Sequence, residues 1–172
     1  LGRRESVSLL LEKGLIRTGI FGNVNARPGS FKAVESLEKA GCEPFDFILI
    51  ATKSFDSERA ASDLQAHPAI MSTRSRIVLF QNGWGNAEIF TRFFDKDKVF
   101  SARVITGFIR PEPNHVDITV HAEAIHIGSL FAAGSNDVSS LCETISKGDI
   151  PCEPTPDIGG DLWAKMLFNC PL

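Results

Sequence analysis

Phe45-Asp46-Phe47-Ile48-Leu49-Ile50-Ala51 is a near-continuous apolar run that leads into Thr52-Lys53-Ser54. Apolar residues at both odd and even positions mark a strand buried on both faces, as at the centre of a parallel sheet; a strand with one wet face would alternate. Outward from this run, Asp56 to Ala66 reads as a helix with Ala60, Ala61 and Leu64 turned inward. Arg76 to Phe80 reads as a second buried strand and Ala87 to Phe94 as a second helix. Strand, helix, strand, helix at this spacing is a doubly wound α/β pattern.

Towards the N-terminus, Glu5 to Lys13 has helical periodicity, with Val7, Leu10 and Leu11 on one face and Gly14 as its stop. Leu15 to Phe21 and Asn23 to Ala26 read as short strands around the turn dipeptide Gly22-Asn23, and Ser36 to Ala40 as a brief helical piece. Towards the C-terminus the rhythm changes. Val99 to Ile105, Val116 to His121 and Ala124 to Ile127 read as strands, and Asp137 to Lys147 as a helix. Pro151, Pro154 and Pro156 suggest an extended connector. A closing helix starts near Asp161, a cap or first-turn acid. Both ends fall inside such patterns, so the expectation is an internal piece of a longer protein.

The chain has 172 residues, 43% hydrophobic and 23% charged, enough for one compact domain or one domain plus part of another. A net charge of −3 argues against a general binder of nucleic acid, which would carry a basic excess. The longest apolar runs are too short to span a bilayer as helices. Cys42, Cys142, Cys152 and Cys170 are scattered without CxxC spacing, which suits reduced thiols in a cytoplasmic protein.

The chemistry-bearing residues lie at strand ends and in the last helix. In open α/β sheets, ligands bind outside the carboxyl ends of the strands. The first buried strand delivers Ala51-Thr52-Lys53-Ser54 there, and the second Gln81-Asn82-Gly83-Trp84-Gly85-Asn86. Gly83 and Gly85 allow a sharp turn and a close backbone approach. Asn82 can both donate and accept, and so orient a substrate oxygen or an amide-bearing cofactor. The plainer alternative is a glycine-rich turn with Asn86 as helix cap. Lys165 and Asn169, four residues apart, project from one helical face among Trp163, Leu167 and Phe168. An ammonium beside an amide suits an oxygen-rich anion or a carbonyl, and apolar neighbours lower the lysine pKa. The plainer alternative is a solvated lysine on an amphipathic helix. Arg3 and Arg4 follow what reads as a strand. An arginine there suits the 2′-phosphate of NADP, or it is an exposed basic residue at a helix start. His121 and His126, five apart on strands or a hairpin, give no metal-ligand geometry, and no metal is expected.

Four segments in order resemble the ketopantoate reductase family. They are Leu1-Gly2-Arg3-Arg4 with its helix and Gly14-Leu15; Phe45-Asp46 through Lys53; Phe80-Gln81-Asn82-Gly83-Trp84-Gly85-Asn86; and Asp161-Leu162-Trp163-Ala164-Lys165 through Asn169. Ile105-Thr106-Gly107 and the stretch ending Ile125-His126-Ile127-Gly128 look like the family's middle region.

The resemblance implies a partial Rossmann-like sheet over residues 1–156, binding NADP, and the start of an all-helical C-terminal domain over 157–172. It implies NADPH-dependent reduction of a 2-keto acid, 2-dehydropantoate to pantoate, on the way to pantothenate. Lys165 would be the general acid, and Asn169 and Asn82 would orient the substrate beside the nicotinamide. Arg3 would meet the 2′-phosphate with Arg4 as helper, while Lys53 and Asn82 would line the cofactor crevice. The family's glycine-rich GxGxxG turn should precede Leu1, and most of its helical domain should follow Leu172. The competing readings are a non-catalytic remnant that binds a nucleotide or a partner subunit, and a reductase of a bulkier 2-keto acid, suggested by Trp84. A homodimer is the protein partner to test for; neither nucleic acid nor membrane is expected.

Overall fold

The computed structural model describes residues 1–131 and 134–169, apart from the side chains of 135, 136, 168 and 169. In chain order the elements are α1 (Arg4–Lys13), β1 (Leu15–Gly19), β2 (Val24–Ala26), β3 (Phe47–Ile50), α2 (Ser57–Gln65), β4 (Arg76–Leu79) and α3 (Asn86–Phe90). They continue with β5 (Val99–Arg103), β6 (Thr106–Glu112), β7 (His115–His121), β8 (Ile125–Gly128), α4 (Ser139–Ser146), β9 (Cys152–Pro154) and α5 (Ile158–Asn169). Two compact units interleave along the sequence: 1–42 with 106–123, and 43–105 with 124–172.

The first unit is built on a four-stranded sheet ordered β2-β1-β7-β6. β1 runs parallel to β7, and the outer pairs β1–β2 and β6–β7 are antiparallel. Helix α1 ends where Gly14 adopts φ 79°, with its N–H on the Leu10 carbonyl. A Cβ there would stand 2.2 Å from the Ala26 carbonyl oxygen, so only glycine fits this crossing. Asn114, in the turn between β6 and β7, is buried and donates from Nδ2 to the Gly14 carbonyl at 3.0 Å. Of the face expected for α1, Val7 is buried whereas Leu11 is 53% exposed. Strand β6 is not anticipated by any pattern in the sequence. It is exposed along most of its length, and its register to β7 shifts twice, so no alternation betrays it.

The second unit is a five-stranded sheet ordered β3-β4-β5-β8-β9. β3, β4 and β5 are parallel, β8 is antiparallel to β5, and β9 is parallel to β8. This is the α/β, Rossmann-like arrangement expected, with one correction. The run that suggests a central strand forms β3, which stands at the edge and pairs only with β4 among the described residues; Leu49 is 48% exposed. The doubly buried strands are β4 and β5. Val78 and Phe100 pack with Ile125, Ile127 and Leu141 on one face, while Ile77 and Leu79 alternate to the other. Each fully buried side chain of this size contributes about 1.5–3 kcal/mol.

The proline connector is in part the edge strand β9, where the missing proline N–H costs nothing. Helix α5 begins three residues before Asp161. Asp157 Oδ1 accepts the Gly160 N–H at 2.9 Å, so Asp157 is the capping acid and Asp161 lies in the first turn. Cys42, Cys142 and Cys152 are free thiols. The buried Cys142 and Cys152 hydrogen-bond each other, and burial pushes both thiols up. Cys170 and the side chain of Asn169 lie outside the described residues. No helix of the described residues is long and apolar enough to cross a membrane.

Candidate functional site

The carboxyl ends of β3 and β4 deliver two polar loops, and buried side chains lash them together. Gln81 is buried directly after β4, and its Nε2 donates to Thr52 Oγ1 at 3.1 Å and to Ser57 Oγ at 2.9 Å. Ser57, also buried, donates from its hydroxyl to Asn86 Oδ1 at 2.9 Å. Asn86 Nδ2 and Ser54 Oγ both donate to the Asn82 carbonyl, at 3.2 and 2.8 Å. The result is a fixed backbone from Asn82 to Asn86, with Gly83 at φ 91° and Gly85 at φ 88° making the turn. Asn86 opens α3 as its first residue, and Gly85 holds the cap position instead. The Asn86 amide serves the loop-to-loop lashing.

Helix α5 brings the lysine. Lys165 Nζ donates to Asn82 Oδ1 at 2.6 Å and to the Val104 carbonyl at 2.7 Å, just beyond the end of β5. Eighty-three residues of sequence separate the two partners of the first bond. Partial burial, and next the Arg103 guanidinium, hold the Lys165 ammonium below the ordinary lysine range. Among the described residues, both of its acceptors, the Asn82 amide oxygen and the Val104 carbonyl, are uncharged.

Behind Lys165 stands a second charged group. Arg103 and His126 are directly opposed across the β5–β8 ladder, with Arg103 Nη2 3.1 Å from His126 Nδ1. Asp161 Oδ2, from the first turn of α5, lies 2.8 Å from the same nitrogen. Trp84, two residues after Asn82, and Trp163, two residues before Lys165, meet with ring centroids 5.3 Å apart and their planes tilted by 39°.

Of the residues singled out by sequence, Lys165 and Asn82 are thus joined directly. Lys53 stands at the end of β3 with its side chain exposed, and its carbonyl accepts from Asp56 N–H at 2.9 Å and Gln81 Nε2 at 3.4 Å. Arg3 and Arg4 belong to the other unit. Arg3 caps α1 in an extended conformation, and both side chains are exposed. His121 and His126, five residues apart in sequence, fall on β7 and β8, in different sheets. Gln81, Ser57, Arg103 and Asp161 carry the geometry of the site but were not singled out as site residues. Only Asp161 had a readable signal, its position four residues before Lys165.

An open sheet with polar strand ends and a lysine-bearing helix is a Rossmann-like α/β protein of the kind that binds ligands at the strand ends. The chain belongs to the ketopantoate reductase PanE/ApbA family, whose profile matches residues 1–131. It is 29% identical over 159 residues to the 2-dehydropantoate 2-reductase of Aquifex aeolicus, covering 90% of this chain and 48% of that protein. The structure resembles 2-dehydropantoate 2-reductase from Geobacter metallireducens with a TM-score of 0.84 at 22% identity, covering 98% of this chain and 53% of the other. It also resembles D-mandelate dehydrogenase in its ternary structure with NADH and anilino(oxo)acetate, with a TM-score of 0.78 at 18% identity, covering 98% and 52%. The chain spans about half the length of the curated relatives it matches. The family is one of oxidoreductases.

Proposed function

We propose that the full-length protein reduces a 2-keto acid with NADPH, and that 2-dehydropantoate, reduced to pantoate, is the substrate. The observation that carries this reading is the Lys165 ammonium fixed by Asn82 Oδ1 and the Val104 carbonyl at the strand ends. An ammonium has three protons to donate, and these bonds use two. The third is offered to a ketone oxygen. A bound dinucleotide would supply the hydride. Lys165 supplies the proton as negative charge develops on that oxygen, and its depressed pKa eases the transfer. Asn82 and Asn169 orient the substrate.

The residues present suit a nicotinamide dinucleotide. Among the described residues, Gln81 Oε1 is buried without a hydrogen-bond partner, in a recess shared with Gly83, Trp84 and Ser101. An acceptor so placed fits a carboxamide N–H. The Asn82 amide and the exposed Lys53 extend the polar lining, and Arg3, helped by Arg4, takes the 2′-phosphate by paired charge-assisted bonds. Under this reading residues 1–156 form the cofactor-binding part and 157–172 begin the helical domain.

The test is a fluorescence titration of the full-length protein with NADPH and with NADH, followed by turnover of a panel of 2-keto acids. Saturable, NADPH-preferring binding with ketopantoate as the best substrate is expected. Absence of reduction of every 2-keto acid would overturn the reading. A second reading, a bulkier 2-keto acid, draws on Trp84 in the glycine turn and its contact with Trp163 of α5. A substrate panel led by an aromatic or long-chain acid would favour it.

A further inference from the structure

Asp161 and Lys165 stand four residues apart on α5, with the acid on the N-terminal side. That is the orientation in which a helical acid and base normally pair. They do not pair here. Asp161 Oδ2 sits 2.8 Å from His126 Nδ1, and Lys165 directs its two bonds to the neutral oxygens of Asn82 and Val104. A carboxylate can only accept, so the short contact requires His126 to carry its proton on Nδ1 and donate it. Arg103 Nη2 lies 3.1 Å from the same nitrogen. A guanidinium cannot donate to a nitrogen already bearing hydrogen, so Arg103 acts there as an adjacent positive charge.

We propose that His126 is a positioning residue for Lys165: by holding Asp161 against β8, it keeps that nearby carboxylate off the ammonium and leaves Lys165 on neutral acceptors. Among the described residues, Arg103 on β5 acts on this lysine, and His126 on β8 and Asp161 on α5 are grouped with Arg103. Arg103 disfavours the ammonium, as its proximity already does. Asp161 would favour it if released, because an opposite charge within a few ångströms stabilises the charged form. The pair His126–Asp161 therefore decides which influence Lys165 feels. As an aid to catalysis this device rests on the proposed role of Lys165 as general acid, but the geometry it concerns is independent of any substrate.

The experiment reads the lysine directly. In the intact protein with 13C-labelled lysine, the Lys165 signal is assigned by its loss in Lys165→Met and titrated by NMR. His126→Leu removes the donor and frees the carboxylate. It is expected to raise the Lys165 midpoint by about one pH unit, a roughly tenfold change in proton affinity of the kind an adjacent opposite charge produces. His126→Gln, which keeps an N–H donor, should stay near the parent value. Adding Asp161→Asn to His126→Leu should return the midpoint to the parent value, which a merely structural loss would not do. A midpoint unmoved in His126→Leu, or a rise that survives Asp161→Asn, would overturn the proposal. Should His126→Leu fail to fold, Asp161→Asn alone decides: a midpoint at or below the parent supports the proposal, and a rise refutes it. Turnover of 2-keto acids by the same samples is a separate readout. Titrations as expected without turnover would sink the proposed function alone; turnover with immobile titrations would sink this device alone.

Discussion

The two units of the molecule are held by different means. The five-stranded unit owns most of the buried side chains, among them Phe100, Ile77, Val78, Leu79, Phe90 and Ile127. The four-stranded unit buries little besides Val7, Ile118 and Asn114, and its strand β6 is exposed along most of its length. There a glycine crossing and the buried Asn114 amide take the place that apolar packing has in the larger unit. The lesson is that a site needing ångström placement, the Lys165–Asn82 pair, sits on the unit with the dense core. The candidate phosphate-reading arginines sit on the lightly packed one, at an exposed helix start.

The sharpest test of this contrast is Lys165→Ala in the full-length protein. Turnover should fall by roughly 10²–10⁴, the usual contribution of a general acid, while NADPH binding stays close to the parent. Under the proposed mechanism, turnover of the parent in the reducing direction needs the ammonium. It should be flat at low pH and decline as pH rises through the Lys165 pKa, at a pH below the ordinary lysine range. A pH–rate profile without that limb would remove Lys165 from the reaction.

Phe100→Ala should cost about 3–5 kcal/mol in denaturant unfolding, because Phe100 is fully buried in the core between the sheet and α4. Arg3→Ala should weaken NADPH by roughly ten- to a hundredfold, the loss of a charge-assisted bond of about 1.5–3 kcal/mol, and leave NADH nearly untouched. Equal losses for both cofactors would remove the 2′-phosphate role. Ser57→Ala should cost about 1–3 kcal/mol, since it removes the donor to the buried Asn86 Oδ1 and one acceptor of Gln81 Nε2. Val7→Ala should cost least, about 1–2 kcal/mol for two methyl groups from a thin core. If Val7→Ala proved as costly as Phe100→Ala, the contrast between the units would break.

Much of this was legible in the sequence where burial writes a pattern. The runs that became β4 and β5, and the helix with Ala61 and Leu64 inward, announced themselves. β6 did not, because a bulged strand with Arg110, Pro111 and Glu112 has no buried face to record. β3 looked central because its composition is apolar throughout, and composition does not say how many neighbours a strand has. In the site, Lys165 and Asn82 were each visible from residue type and placement. Their meeting was not, and neither was the Val104 carbonyl, since a backbone oxygen leaves no letter in the sequence. The Arg103–His126 apposition depends on the β5–β8 register, which a sequence does not print.

The contact between Trp84 and Trp163 has a practical side. They are the two tryptophans of this sequence, one two residues after Asn82 and the other two residues before Lys165. The ultraviolet emission of the chain is therefore a local signal disguised as a global one. Its colour and intensity report on the one place where chemistry is proposed, and a ligand settling there would be seen without a label.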